Sequence, residues 1–303
     1  MPTGAQRPDT MVAGKRSNYS SQRALAFTLT DLVAVLAIVL ILAVLQLPSA
    51  AGTRGKGQSA SCLYNHRQLV RAWQLYAKEN NGQLVGNLDG GDVMIMANSN
   101  KTWVLGWMTF TGGQPAGAAT NTLYLSQYSP LAVYAQRDAA IFRCPADRSL
   151  SHGTSGRTRV RSISMNSYMG DRNRGFFPDA GSYSAGYWQF KKLSEVATPK
   201  PSQAFVFIDE REDSINDGWF AIDMGGFDPP QPSLNMMIDF PADWHNRGAN
   251  LSFVDGHSET WRWQDGRTMP RHVLGQGLVL GQAISNSPDV ARLQAAASSR
   301  VKR

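Results

Sequence analysis

Between Phe27 and Leu47 lie 21 residues with a single ionisable side chain, Asp31, and no other stretch constrains the fold as strongly. As a helix at 1.5 Å per residue, such a segment spans about 30 Å, the hydrocarbon thickness of a bilayer. The apolar part of a removed secretory signal is usually only about 7–15 residues, so an uncleaved membrane helix is expected even though Ser49-Ala50-Ala51 could serve a signal peptidase. Arg7, Lys15, Arg16 and Arg23 precede the segment, but Arg54, Lys56 and Arg67 follow it, and the positive-inside asymmetry is small. Asp31 would cost about 2.5–3.5 kcal/mol at mid-bilayer. At a helix start the dipole and the free N–H groups favour it instead. Thr28-Leu29-Thr30-Asp31 has the spacing of a capping box with Asp in place of Glu.

Beyond Pro48, Cys62, His66, Leu69, Trp73 and Tyr76 recur at intervals of four and three, one face of a helix that packs under a globular head. Asn80-Asn81-Gly82 is a C-terminal stop. The spacing predicts a nearly continuous helix from about Phe27 to Asn80, softened near Gly52, Gly55 and Gly57.

From Gln83 onward the helical period is lost. MIMANSNKTWVLGWMTF predicts a strand pair, SQYSPLAVYAQ a short helix, and AIFRCPADR a strand running into a turn. Seven arginines lie between Arg143 and Arg174, and Arg157, Arg159 and Arg161 alternate as one solvated strand face would. That face could meet an acidic polymer, yet no aromatic or Gly-rich nucleic-acid motif accompanies it, and nucleic acid is not an expected partner. The apolar run from Ala204 to Ile208 ends in Asp209, Glu210, Glu212, Asp213, Asn216 and Asp217. Oxygen ligands this dense at Asp209, Glu210, Asp213, Asn216 and Asp217 could hold Ca²⁺, but the spacing is not an EF-hand, and a loop that hydrogen-bonds its own backbone is the reading preferred.

Asp255-Gly256 separates two β-type runs and predicts a hairpin, with Leu251 and Phe253 on one face before the turn and Trp261 and Trp263 on one face after it. His245, Asp255 and His257 could be taken for metal ligands, although nothing in their positions requires them to converge. The only cysteines are Cys62 and Cys144, in no zinc spacing. They could form a disulfide if the head lies outside the cytoplasm, or remain two buried thiols. No hydrolase triad, Walker loop or dinucleotide fingerprint is present, and no enzyme is expected.

FTLTDLVAVLAIVLILAVLQLP resembles the N-terminal segment of type IV pilins and type II secretion pseudopilins. The resemblance implies cleavage by a prepilin peptidase between Ala26 and Phe27, N-methylation of Phe27, a kink at Pro48, and pairing of Asp31 with a neighbouring subunit's N-terminus during assembly. Ala26 stands where the family has Gly, and Asp31 where it has Glu. His245, followed after nine residues by Asp255-Gly256, is similar to the H-X9-DG signature of bacterial pseudopilin-like proteins. SCLYNHRQLVRAWQLYAKENNG, FRCPADRS, SISMNSYMG and DEREDSINDGWF add to that likeness, which runs from about Arg23 to Arg262. Both cysteines fall inside such segments, which favours the Cys62–Cys144 bridge.

The expectation is an α+β, pilin-like chain whose long N-terminal transmembrane α-helix packs on a head with an antiparallel β-sheet. It divides into a cytoplasmic leader (1–26), a membrane-spanning and stalk helix (27–82), an α+β head (83–282) and a polar tail (283–303). The protein would sit in the inner membrane as a single-pass subunit, head periplasmic or extracellular. Its partners would be the prepilin peptidase, other pilin-like subunits, a secretion or pilus machinery, and membrane lipid. No cofactor is expected apart from the Ca²⁺ considered above. Two alternatives come from other classes: an unassembled membrane-anchored protein whose head binds an acidic polymer, DNA or polysaccharide through its arginines or Trp-rich hairpin, and a metal-dependent enzyme built on His245, His257 and the acidic loop.

Overall fold

The computed structural model describes residues 28–171 and 186–301, and within the first helix the side chains of 44–54 are not described. The leader, the Ala26–Phe27 cleavage pair, Arg172 and Arg174 lie outside the described residues, as does the Pro48 side chain. The chain divides into two units, residues 1–50 and 51–303.

The first helix, α1, runs from Leu29 to Glu79. In the first unit it starts on a reciprocal cap. Thr28 donates to Asp31 Oδ2 from its backbone N at 2.9 Å and from Oγ1 at 2.6 Å, while the Asp31 backbone N donates back to Thr28 Oγ1 at 3.3 Å. This is the capping box, and it holds the exposed Asp31 carboxyl below its ordinary pKa. Leu29, Leu32, Val33, Val35, Leu36 and Ile38 to Leu42 follow, all exposed at 46–78%.

The transmembrane expectation is corrected here. Among the described residues no helix is long and apolar enough to cross a membrane. The single-pass inner-membrane placement falls with it.

In the second unit α1 buries Cys62, His66, Leu69 and Trp73 of the predicted stripe together with Val70 and Ala77, while Tyr76, its last member, is partly buried. The helix stops where Asn81 and Gly82 turn left-handed (φ 54° and 79°) and Gly82 N donates to Ala77 O at 2.8 Å. Among the described residues seven strands follow: β1 (Ile163–Asn166), β2 (Phe205–Asp209), β3 (Trp219–Phe220), β4 (Met236–Met237), β5 (Gly248–Phe253), β6 (Ser258–Arg262) and β7 (Gln282–Ala283). The main sheet has the order β3-β1-β2-β5-β6, and β4 pairs with β7 separately. β1 and β3 are parallel while the other neighbours are antiparallel, so the sheet is mixed, not antiparallel throughout as expected. FVFID of β2 and GANLSF of β5 are buried along their whole length, as central strands covered on both faces are. α1 is tied to the sheet side by Gln74 Nε2 donating to Val254 O (2.8 Å) and by Ser258 Oγ donating to Leu63 O (3.0 Å).

The β5–β6 hairpin is present, but its loop holds four residues, 254–257, and among them only Gly256 has a positive φ (95°). Elsewhere local predictions gave way to tertiary bonds. The predicted strand pair over 94–110 is replaced by 3₁₀ turns at Gly90–Met94 and Met96–Asn98 and a loop, because Trp103 is drawn into the core and its indole N–H donates to Gly218 O at 3.0 Å. The predicted helix near Ser126–Gln136 is a series of turns after a one-turn α2 (Leu123–Ser126). AIFRCPADR begins as a 3₁₀ helix, Ala139–Phe142, because Asp138 caps it by accepting from Ala140 N at 2.8 Å. The segment expected as a polar tail instead contains α3 (Pro288–Ala297), whose Val290, Leu293, Ala296 and Ala297 join the core.

Candidate functional site

Cys62 and His66 stand one helical turn apart on α1, and both are fully buried. Opposite them Asp209 ends β2, where the apolar strand delivers a carboxylate into the core. Cys144 follows the 3₁₀ helix of 139–142, and its backbone N donates to Ser162 Oγ at 2.8 Å. His245 is aimed by a sharp reversal: Asn246 and Arg247 both adopt left-handed backbone (φ 56° and 62°), and His245 N donates to Gly248 O at 3.0 Å. Gly248 permits this turn, since a Cβ there would lie 2.3 Å from Trp261 O on β6.

Four elements thus converge on one buried point. Cys62 Sγ lies 3.3 Å from both oxygens of Asp209. Cys144 Sγ is 3.2 Å from His245 Nε2, which is 3.4 Å from Asp209 Oδ2. His66 Nε2 donates to Asp209 Oδ1 at 3.1 Å, and Asn250 N donates to Asp209 Oδ2 at 3.0 Å. One ligand-type atom from each of Cys62, Cys144, Asp209 and His245 lies within 4.8 Å of all the others. The two cysteines of the expected bridge are thereby brought together, as buried free thiols.

The electrostatics follow from this crowding. Burial alone would raise the Asp209 pKa, but the charge of His66 and the hydrogen bonds from His245 and His66 hold its carboxyl below the ordinary range. Burial works against a charged His245, yet its hydrogen bonds to Asp209 and Cys144 push it up to about 10. The Cys62 thiol is raised, first by burial; Cys144 is lowered despite burial, through its contacts with Cys62 and His245.

The other candidate residues do not converge. His257 sits at the surface, its Nδ1 2.6 Å from Asp255 Oδ1 and its ring stacked on Phe253 at 4.3 Å, so it shares no site with His245. The H-X9-DG residues divide accordingly: His245 enters the buried cluster, whereas Asp255 and Gly256 shape the hairpin loop. The acidic loop disperses as well. Glu210 accepts from Ser214 Oγ at 2.7 Å, Asp213 is clamped by Arg211 at 2.5 and 2.9 Å, and Asp217 accepts from Gly90 N and Trp219 N at 2.9 and 2.8 Å. The backbone carbonyl of Asn216 accepts from Met108 N. These groups face separate protein partners, and the favoured self-bonded loop describes them better than a calcium cradle.

The arginine face is corrected too. Arg157 is exposed, but Arg159 and Arg161 are buried and donate inward. Arg159 reaches Glu212 O at 2.6 Å and Ile215 O at 3.3 Å; Arg161 reaches Asp217 O at 2.6 Å and Ile163 O at 3.3 Å. They serve the orphan carbonyls of the acidic loop and leave no cationic strand face. Trp261 and Trp263 are buried as well, which removes the Trp-rich hairpin as a binding surface.

Sequence reasoning placed Cys62 and His66 on one stripe but assigned neither to His245 or Asp209. The available signal was the pairing of the chain's only two cysteines with a histidine leading into a strand. No family model, curated protein or solved structure matches the chain.

Proposed function

We propose that the chain is a non-enzymatic pseudopilin- or pilin-like subunit, cut by a prepilin peptidase between Ala26 and Phe27, N-methylated at Phe27, and assembled into a type II secretion pseudopilus or type IV pilus-like structure. The observation that carries this reading is the first stretch of α1. Apolar side chains from Leu29 to Leu42 stand exposed all round the helix, and Asp31 is fixed in its first turn. An exposed apolar surface of this kind marks an interaction site, and the corresponding helices of other subunits cover it in this reading. Asp31 then has two roles: it caps its own helix, and in the assembled state it pairs with the amine of a neighbouring Phe27, each charge offsetting the desolvation of the other.

Asp31→Asn separates the roles. Cross-linking of subunits in cells is expected to drop while the folded second unit keeps its stability. Unchanged cross-linking would leave Asp31 with the cap alone.

A further inference from the structure

We propose that Cys62, Cys144, Asp209 and His245 form a structural zinc(II) site that pins α1 to the sheet of the second unit. Two thiolates, one imidazole and one carboxylate are the donor set that tetrahedral zinc takes, and four protein ligands leave no open position for chemistry. The spacing fits before any ion is placed. Tetrahedral bonds of about 2.0–2.3 Å require ligand–ligand edges of about 3.3–3.8 Å. Cys62–Asp209, His245–Asp209 and Cys144–His245 stand at 3.3, 3.4 and 3.2 Å.

The surroundings are those of a metal centre. Ligating carboxylates and thiolates need outer partners to orient them. Asp209 has His66 Nε2 and Asn250 N, and Cys144 Sγ accepts from Ala146 N at 3.4 Å, two residues on. A divalent cation also balances the negative charge that two thiolates and a carboxylate bring to a buried point. Binding needs only the loss of the two thiol protons and any proton on His245 Nε2; no bond is broken and no electron moves. The site joins positions 62, 144, 209 and 245, so one ion would tie together four segments that are otherwise linked only in pairs.

Cobalt(II) added to the fully reduced, folded full-length chain is the test. The proposal expects about one tetrahedral cobalt per chain with a thiolate-to-cobalt absorption band, displaced by zinc. Cys144→Ser should abolish the band, His66→Gln should weaken affinity roughly 10–100-fold through Asp209, and His257→Ala should change nothing. If Cys144→Ser does not fold, protection of the wild-type thiols from alkylation by zinc alone gives the same decision. A reduced, folded chain that shows no thiolate–cobalt band, or a native chain in which Cys62 and Cys144 prove to be bonded to each other, overturns the proposal.

Discussion

Residues 29–43 and residues 62–77 belong to one helix and are rich in the same kinds of side chain, yet they meet opposite environments. In the first stretch Leu32, Leu36 and Leu40 are exposed, and the side-chain bonds among the described residues are those of Thr28 with Thr30 and Asp31. In the second, Leu69, Val70 and Trp73 are fully buried, and the polar side chains Cys62, His66 and Gln74 find partners across the chain, although the Trp73 indole N–H has none. Cys62 and His66 reach Asp209, and Gln74 reaches Val254. The lesson is about what apolarity in a helix is for. Where the pattern is a stripe three and four residues apart, the second unit covers it; where it is apolar all round, the described side chains stand exposed.

The contrast breaks most visibly in stability. Trp73→Ala removes a fully buried indole from beneath the sheet and should cost about 3–5 kcal/mol in urea unfolding. A loss near zero would mean that the stripe is not the core.

The pH dependence sharpens the same point, because among the described residues the buried carboxylates all lie in the second unit. Burial raises Asp217 from 3.8 to about 6, against the favourable bonds from Gly90 N and Trp219 N. Between those values the folded chain keeps a proton that the unfolded chain releases, so stability falls as pH rises from about 4 to about 6. Asp217→Asn should flatten that slope in thermal melts; an unaltered slope would show that Asp217 titrates normally.

Smaller effects belong to the first stretch. Thr28→Val removes the hydroxyl from the reciprocal cap and should fray the helix start by about 1 kcal/mol, seen as faster amide exchange over the first turn. Leu36→Ala should change global unfolding by less than about 0.5 kcal/mol, since that side chain is exposed, while lowering subunit cross-linking.

The sequence made some of this structure legible and not the rest, for physical reasons. The extent of α1, its cap, its stop at Asn81-Gly82 and the β5–β6 hairpin were predictable because each is decided within a few residues. The alternation of Arg157, Arg159 and Arg161 was misleading: two of the three turn inward, and only the carbonyls of Glu212, Ile215 and Asp217 explain why. The indole of Trp103 likewise defeats a local strand pattern by bonding to Gly218, far along the chain. The buried cluster is least legible of all. Its members are separated by 82, 65 and 36 positions, and His245 is aimed by a left-handed Arg247 that no propensity would suggest. His245 and His257 look equivalent around one turn; burial sends the first to Asp209 and leaves the second on Asp255.

The account's central claim, that the exposed apolar stretch is the assembling end of a processed subunit, is tested most directly by the mass of the mature N-terminus. The predicted result is a chain beginning with N-methylated Phe27. A chain that retains its leader, or one that begins near Gly52 and so lacks the stretch altogether, would contradict it.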